Sequence, residues 1–305
     1  MITQFSCRER NAKDGTASSE FTMKGPLENK LAGSDRRADG LTGPRPSCSG
    51  LRMLLTLALM PLVLPDLAVG QTPGPDDVQK TGNFTATITQ TQNLEYLLFL
   101  PPGYEADPQK KWPLMLFLHG AGERGTNVWL VAVHGPPKLV RTQSDFPFIL
   151  VSPQCPPDQR WNPDVLAKLL DQLEATHRVD KSRVYLTGLS MGGYGTWTLG
   201  IRYPERFAAI APICGGGDWL EVRLSSRRNR EALKSLPVWA FHGAKDNVVP
   251  LSESERMVDV LKTAAGNENT KLTVYPDANH DSWTETYNNP ELFQWLLQHR
   301  RVGRE

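Results

Sequence analysis

Short apolar runs recur along the chain from residue 113 onward, and between them the apolar residues follow helical spacing. The runs are nearly continuous, as expected of strands that are covered on both faces. They predict strands at residues 114–118, 146–151, 184–187, 208–213, 238–241 and 272–275. The helical spacing predicts helices at residues 163–177, 193–203, 252–265 and 290–300. This alternation predicts an α/β fold in which helices flank a mostly parallel central sheet.

Two strand-like segments precede this pattern. Residues 84–89 alternate between apolar and polar positions, and residues 94–100 form a second candidate strand that stops at a Pro-Pro-Gly sequence. Two such runs predict a hairpin, so antiparallel strands are expected at the N-terminal edge of the sheet. Because residues 81–301 contain neither a repeat nor a clear linker, they are expected to form a single domain.

The first 80 residues follow a different pattern. Residues 1–50 are polar and lack apolar periodicity, so we expect a disordered extension or a misassigned translation start. Residues 51–70 contain an apolar run followed by small residues, as in a secretory signal peptide cleaved near Gly70. An uncleaved apolar anchor is the alternative. Residues 71–80 are expected to be a flexible leader, and the protein is expected to be secreted or periplasmic.

Composition narrows the choice of partners and cofactors. The formal net charge of +1 gives no reason to expect a nucleic-acid or anionic-membrane partner. Cys155 and Cys214 follow predicted strands that are not neighbours in the proposed sheet, so free, buried thiols are expected. No Cys/His metal-binding spacing occurs, and no metal or cofactor is expected. The oligomeric state stays open.

A G-x-S-x-G motif at residues 188–192 follows the predicted strand 184–187 and precedes a predicted helix. A serine at the sharp turn between a strand and a helix is typical of a nucleophile, so Ser190 is predicted to be catalytic. The motif alone is weak, because average glycine usage produces it by chance in roughly one chain in ten of this length. A base, an orienting acid and an oxyanion hole are needed to strengthen it.

Asp246 and His280 supply the acid and the base. Each follows a predicted strand, and the carboxyl ends of parallel strands meet at one edge of a sheet. The chain order Ser, Asp, His is the one used by hydrolases with this motif. His280 is predicted to accept the serine proton, and Asp246 to orient the imidazole. The competing bases and acids are His119, His134, His242, Asp218, Asp277 and Asp281.

The predicted oxyanion hole uses two backbone amides. One belongs to Met191, directly after the nucleophile, and the other to Ala121 in the glycine-rich loop 119–125. Such a loop can instead hold phosphate. Neither nucleotide-binding glycine motif is present, which argues against a nucleotide site.

The motifs at residues 119–122, 188–193, 242–246 and 278–283 together resemble the α/β-hydrolase superfamily. Within it, the chain is similar to secreted bacterial phospholipase/carboxylesterase-like and feruloyl-esterase-like proteins, including relatives of dienelactone hydrolases and prolyl oligopeptidases. The resemblance implies hydrolysis of carboxylic esters through an acyl-serine intermediate without a cofactor. Dienelactone hydrolases use cysteine where this chain has Ser190, and the segment ahead of the hydrolase motifs is too short for the propeller of prolyl oligopeptidases. A peptidase and a non-catalytic binding protein are the alternatives.

Tryptophans are the candidates for the substrate pocket. They fall in or near loops that follow predicted strands, on the catalytic side: Trp129, Trp161, Trp219 and Trp283. Aromatic walls suit a phenolic acyl group or a sugar ring, which favours a small-molecule or polysaccharide-linked ester such as a plant phenolic or carbohydrate ester. Ordinary packing of large side chains is the alternative for each tryptophan.

Overall fold

A seven-stranded sheet organises the part of the chain that this computed structural model describes, residues 82–89 and 91–301. The strands are β1 Tyr96–Phe99, β2 Trp112–Leu118, β3 Ile149–Pro153, β4 Val179–Leu189, β5 Ala209–Ile213, β6 Val238–Gly243 and β7 Thr270–Tyr275. Their order in the sheet is β1-β3-β2-β4-β5-β6-β7, and every neighbouring pair except β1 and β3 is parallel. The predicted α/β fold with a mostly parallel sheet is confirmed. The expectations for residues 1–80 lie outside the described residues.

Helices connect the strands in the described chain. They are α1 Gly135–Leu139, α2 Pro163–Thr176, α3 Met191–Arg202, α4 Trp219–Arg223, α5 Arg227–Ser235, α6 Ser252–Ala265, α7 Trp283–Asn288 and α8 Pro290–Gln298. The four helices expected from apolar spacing are present within two residues of their predicted bounds. α1, α4, α5 and α7 are short or strongly polar, and the apolar pattern did not indicate them.

The predicted N-terminal hairpin is wrong. Residues 82–89 form no strand, and Phe84 and Ile88 are 91% and 90% exposed. β1 pairs instead with β3 in an antiparallel register that sets Phe99 opposite Leu150. Partial burial on both faces of β1 accounts for this pairing, because Tyr96 packs against one buried cluster of the protein and Phe99 against the other. Residues 84–89 offer no comparable apolar set, so alternation there did not produce a strand.

Alternate residues of β2 enter two buried clusters on opposite faces of the sheet. Leu114, Leu116 and Leu118 join the cluster that includes α2, α3 and α6, whereas Met115 and Phe117 join the cluster that includes α8. All five side chains are completely buried. Each such side chain contributes roughly 1.5–3 kcal/mol relative to exposure. This two-sided burial explains the continuous apolar runs and anchors the strand ends that carry the site.

Cys155 and Cys214 are free and buried, as expected. Burial raises the pKa of the Cys155 thiol to about 11 and that of Cys214 to about 12. Both side chains therefore stay protonated near neutral pH, which makes them poor nucleophiles. Within the described residues, no helix is both long enough and apolar enough to cross a membrane.

Candidate active site

Ser190 occupies the single-residue turn between β4 and α3. Its backbone adopts φ 52° and ψ −116°, a conformation that costs a non-glycine residue roughly 1–3 kcal/mol. Two hydrogen bonds hold it there: the Ser190 amide donates to the Ile213 carbonyl at 3.0 Å, and the Ser190 carbonyl accepts from the Tyr194 amide at 3.0 Å. These hydrogen bonds to β5 and α3 maintain the strained conformation. Ser190 therefore lies at the apex of the turn, as its motif predicted.

The glycines of the motif allow α3 to approach the sheet backbone. A Cβ at Gly192 would lie 1.9 Å from the Leu118 carbonyl oxygen, and one at Gly188 would lie 2.5 Å from the Gly192 carbonyl oxygen. Neither distance is compatible with a side chain, because the obstructing atoms belong to the backbone. The start of α3 therefore rests directly on the end of β2.

Ser190, His280 and Asp246 are joined by hydrogen bonds. Nε2 of His280 lies 2.9 Å from Oγ of Ser190, and Nδ1 of His280 lies 2.8 Å from Oδ2 of Asp246. The carboxylate assigns the imidazole proton to Nδ1, which leaves Nε2 free to accept the hydroxyl proton. The structure thus brings together three residues separated by up to 90 positions in the chain.

The Asp246 carboxylate is held from both sides. Its side chain has no exposed area, and Oδ1 accepts the amides of Val248 and Val249, each at 2.9 Å. Burial alone would raise the pKa of Asp246, but hydrogen bonds from His280 and from these amides outweigh it and hold the pKa below its ordinary value. A carboxylate that stays ionised can orient His280 and stabilise its protonated form.

The rival histidines have partners other than Ser190. His119 lies buried between two backbone groups, with Nδ1 2.6 Å from the Gly120 carbonyl and Nε2 accepting the Cys155 amide at 2.9 Å. Burial is the main reason that the pKa of His119 falls to about 4. The imidazole is therefore neutral near pH 7 and links the two loops through hydrogen bonds. Nδ1 of His242 contacts the Ser254 hydroxyl at 2.7 Å. His134 stacks edge-on against the Trp283 ring, with centroids 5.5 Å apart.

The rival carboxylates also have other partners. Asp277 pairs with Lys245 at 2.7 Å on the surface. Asp281 accepts the Thr284 amide at 3.0 Å near the start of α7, and Asp218 caps α4. Asp246 is the carboxylate bonded to His280.

The loop that carries Ala121 lies against Ser190. A Cβ at Gly120 would be 3.7 Å from Cβ of Ser190 and 2.9 Å from Cδ1 of Leu189. The Ala121 carbonyl accepts Nε of Arg124 at 3.0 Å. Met191 is the first residue of α3, so its amide has no acceptor four residues earlier in the helix. Both elements expected to supply oxyanion donors thus flank the serine, while the role of the two amides stays a prediction.

The four candidate tryptophans divide into two pairs. Trp161 lines the cleft at Ser190, and Trp283 packs edge-on against His280 with centroids 5.3 Å apart. Trp129 is 72% exposed and lies in a different, apolar cavity beside β1. Trp219 is half-exposed at the start of α4, with the Arg223 guanidinium over its ring. The structure thus places Trp161 in the cleft of Ser190 and Trp283 against His280, whereas neither Trp129 nor Trp219 lines this cleft.

The cleft at Ser190 has a volume of about 510 Å³. Its lining residues are Arg160, Trp161, Ser190, Met191, Tyr194, Gly195 and Thr198. Sequence reasoning missed Arg160, Tyr194, Gly195 and Thr198. A signal for two of them was present, because positions 190, 194 and 198 are four residues apart and share one face of the following helix. Nothing in the sequence pattern indicated Arg160.

No group of three or more His, Cys, Asp or Glu side chains within the described ranges could hold a metal ion. The hydrogen-bonded site combines the Ser190 hydroxyl, the His280 imidazole and the Asp246 carboxylate. This set can carry out nucleophilic acyl transfer, since it contains a nucleophile, a proton acceptor and an orienting carboxylate.

The mostly parallel seven-stranded sheet and its flanking helices form an α/β-hydrolase fold, which a solved esterase structure shares. More specifically, residues 161–291 match the model of the phospholipase/carboxylesterase family. The crystal structure of a thermostable esterase is 35% identical, with a TM-score of 0.55, over 68% of this chain and 60% of that chain. A ferulic acid esterase with 20% identity and a TM-score of 0.53 shares the fold over 67% of this chain and 90% of its own.

Curated relatives match shorter stretches. Poly(3-hydroxyalkanoate) depolymerase C of Paucimonas lemoignei is 45% identical over 51 residues, or 17% of this chain and 12% of that protein. Acyl-protein thioesterase 1 of Mycosarcoma maydis is 29% identical over 120 residues, or 38% of this chain and 49% of that protein. The chain thus spans less than half the length of these relatives.

Proposed function

We propose that this protein is a serine esterase that hydrolyses carboxylic esters. The observation that carries the proposal is the continuous hydrogen-bonded series from Ser190 Oγ through His280 to Asp246, with distances of 2.9 and 2.8 Å. The similarity to the thermostable esterase and to the phospholipase/carboxylesterase family supports it.

In the proposed reaction, His280 Nε2 takes the hydroxyl proton as Ser190 Oγ attacks the ester carbonyl. The negative charge that develops on the carbonyl oxygen is met by the amides of Met191 and Ala121. Loss of one such donor typically lowers kcat by about 10²- to 10³-fold. The intermediate collapses when His280 returns the proton to the leaving alcohol. Water, activated by the same imidazole, then releases the acid from the acyl-serine.

For the substrate, we propose esters with a small or aromatic acyl group, including plant-derived phenolic or carbohydrate esters. Support comes from the size of the cleft, about 510 Å³, and from the Trp161 ring in its wall. Residues of this chain also match a stretch of the bifunctional acetylxylan esterase/xylanase XynS20E of Neocallimastix patriciarum, 29% identical over 98 residues. Hydrolysis of methyl ferulate and of acetylated xylan, each compared with short p-nitrophenyl esters, tests this part. Turnover of the short esters without turnover of methyl ferulate or acetylated xylan would contradict the plant-derived phenolic and carbohydrate esters.

The nucleophile is tested with a fluorophosphonate probe, which forms a covalent adduct with an activated serine. We expect labelling of the wild-type protein and of the matched control Ser235→Ala on α5, and no labelling of Ser190→Ala. Loss of ester hydrolysis should accompany the loss of labelling. Persistent labelling of Ser190→Ala would refute the assignment. An unlabelled wild-type protein would favour a non-catalytic binding protein.

We also propose that residues 51–70 act as a signal peptide and that the protein is secreted or periplasmic. The apolar run 54–64 and the small residues before position 71 support cleavage near Gly70. N-terminal sequencing of the protein from its native source is the test. A terminus well away from Gln71 would contradict cleavage at this place.

A further inference from the structure

We propose that Arg160 binds a carboxylate carried by the ester substrate, so that the enzyme prefers esters with one free acid group. This inference rests on the proposed esterase function and names the class of substrate for the same cleft. Arg160 is the charged side chain among the described residues that line the cleft at Ser190, where the other lining residues are neutral.

The Arg160 guanidinium differs from its arginine neighbours in having no partner. Within residues 82–89 and 91–301, it forms no hydrogen bond or ion pair. By contrast, Arg124 donates to the carbonyls of Ala121 and Gln159 at 3.0 and 3.3 Å, and Arg202 pairs with Asp164 at 3.1 Å. A planar guanidinium presents paired N–H donors that match a carboxylate in a bidentate geometry. Arg160 thus offers an unused binding group inside the cleft.

The residues on both sides of Arg160 are anchored. The Gln159 carbonyl accepts Nη1 of Arg124 at 3.3 Å, and the Trp161 indole donates to the His119 carbonyl at 3.2 Å. Trp161 is also buried against α3, since a Cβ at Gly195 would lie 2.8 Å from its ring. The side chain of Arg160 is exposed, but its point of attachment is fixed at the cleft wall. Binding an anion therefore requires ordering of one side chain rather than of a loop.

The electrostatic surroundings favour one negative charge. α3 begins at Met191 in the same cleft, and the N-terminus of a helix is the positive end of its dipole. The carboxylate beyond Tyr194, Glu253, lies 3.9 Å from Arg256, and Asp246 is buried behind His280. One guanidinium balances only half of the charge of a phosphate dianion. A single carboxylate matches it, and we therefore assign a carboxylate.

Two pairs of esters test the inference, with the carboxylate on either side of the scissile bond. Monoethyl adipate is compared with ethyl 6-methylheptanoate, and 4-acetoxybenzoate with 4-isopropylphenyl acetate. In each neutral member, two methyl groups replace the carboxylate oxygens. The measured quantity is the ratio of kcat/KM for the anionic member to that for the neutral member. Comparing this ratio between variants removes the intrinsic reactivity of the esters.

We expect the ratio for at least one pair to fall about tenfold in Arg160→Gln, mainly through KM, because hydrogen bonds to charged groups contribute at this level. Arg160→Lys should retain part of the ratio, since it keeps the charge but loses the bidentate geometry. Arg228→Gln on α5 removes the same charge outside the cleft and should leave the ratio unchanged. Equal ratios in wild-type protein and Arg160→Gln for both pairs would overturn the inference, as would an equal fall in Arg228→Gln.

A binding measurement separates this inference from the proposed function. Isothermal titration calorimetry of monoethyl adipate with Ser190→Ala and with Ser190→Ala/Arg160→Gln requires no turnover. We expect about tenfold weaker binding in the double variant, for the same charged hydrogen bonds. Equal dissociation constants would overturn the role of Arg160 even if the protein hydrolyses esters. Failure of the esterase function would instead appear as an unlabelled Ser190 in the wild-type protein.

Discussion

Nε2 of His242 lies 3.3 Å from Oδ2 of Asp246, the same carboxylate oxygen that contacts Nδ1 of His280 at 2.8 Å. The side chains of His242 and Asp246 are both completely buried. Nε2 of His242 also lies 2.9 Å from the Val249 carbonyl, while the Val249 amide donates to the other oxygen of Asp246. His242 therefore fixes the loop that carries Asp246.

Substitution of His242 by Phe is expected to lower both stability and activity. The ring would leave the Val249 carbonyl without its buried imidazole partner, and an unsatisfied buried group costs roughly 1–3 kcal/mol. Urea denaturation should show a lower free energy of unfolding, and kcat should fall because Asp246 loses its support. His177→Phe at the end of α2, where the ring contacts Thr176, is the matched control. A His242→Phe variant as active as the wild type would show that this imidazole does not position Asp246.

Replacing Asp246 by Asn is expected to reduce kcat by about 10⁴-fold, because an amide can donate to Nδ1 and select the wrong imidazole tautomer. Steady-state kinetics on a short p-nitrophenyl ester measures the effect. Asp277→Asn removes an exposed carboxylate that pairs with Lys245 and serves as the control. Comparable activity of Asp246→Asn and Asp277→Asn would show that a group other than Asp246 orients His280.

His119 is expected to make stability depend on pH. Its pKa falls from the ordinary 6.5 to about 4, mainly through burial, so the unfolded chain binds more protons between these values. The stabilising contribution is complete above pH 6.5 and is lost as the pH falls towards 4, on the order of 3 kcal/mol in total. Urea denaturation of wild-type protein and of His119→Gln across this range should give a flatter pH dependence for the variant. Parallel curves would contradict the assignment of a neutral, buried imidazole.

Gly192→Ala is expected to prevent folding or to lower the free energy of unfolding by more than about 3 kcal/mol, since backbone atoms obstruct the new methyl group. The obstruction is the Leu118 carbonyl oxygen, 1.9 Å from the position of the added Cβ. Gly122→Ala is the control, because nothing lies within 4 Å of its added Cβ. Thermal unfolding monitored by circular dichroism distinguishes the two variants. A Gly192→Ala protein with unchanged melting temperature would mean that α3 is not seated on β2 as described.

The sequence was most informative where burial on two faces leaves a continuous apolar run. The strand at residues 112–118 and the alternation with helices follow from this rule, and the meeting of Ser190, Asp246 and His280 follows because parallel strands end at one edge of the sheet. The alternation in residues 84–89 did not predict the structure correctly, because alternation does not specify which strand a segment pairs with. β1 pairs with β3 instead of with residues 84–89.

The wall of the cleft could not be derived in the same way. Arg160 reaches it because the chain after β3 is tied to the glycine loop through Arg124 and Trp161, and such links between distant loops leave no periodic signal. Tyr194 and Thr198 could have been found by continuing the helical face of Ser190. Only Trp161 and Trp283 of the four predicted tryptophans lie at Ser190 or His280. A position after a strand indicates the correct edge of the sheet but not the distance from Ser190.

The contact between Gly192 and the Leu118 carbonyl joins two elements through main-chain atoms alone. Side-chain substitutions elsewhere in α3 and β2 do not remove this main-chain contact, so Ser190 and the neighbouring glycine loop keep their relative positions. Arg160 and Tyr194 take no part in this main-chain contact. Substitutions in the cleft wall can therefore change its lining while Ser190 and the glycine loop stay in register.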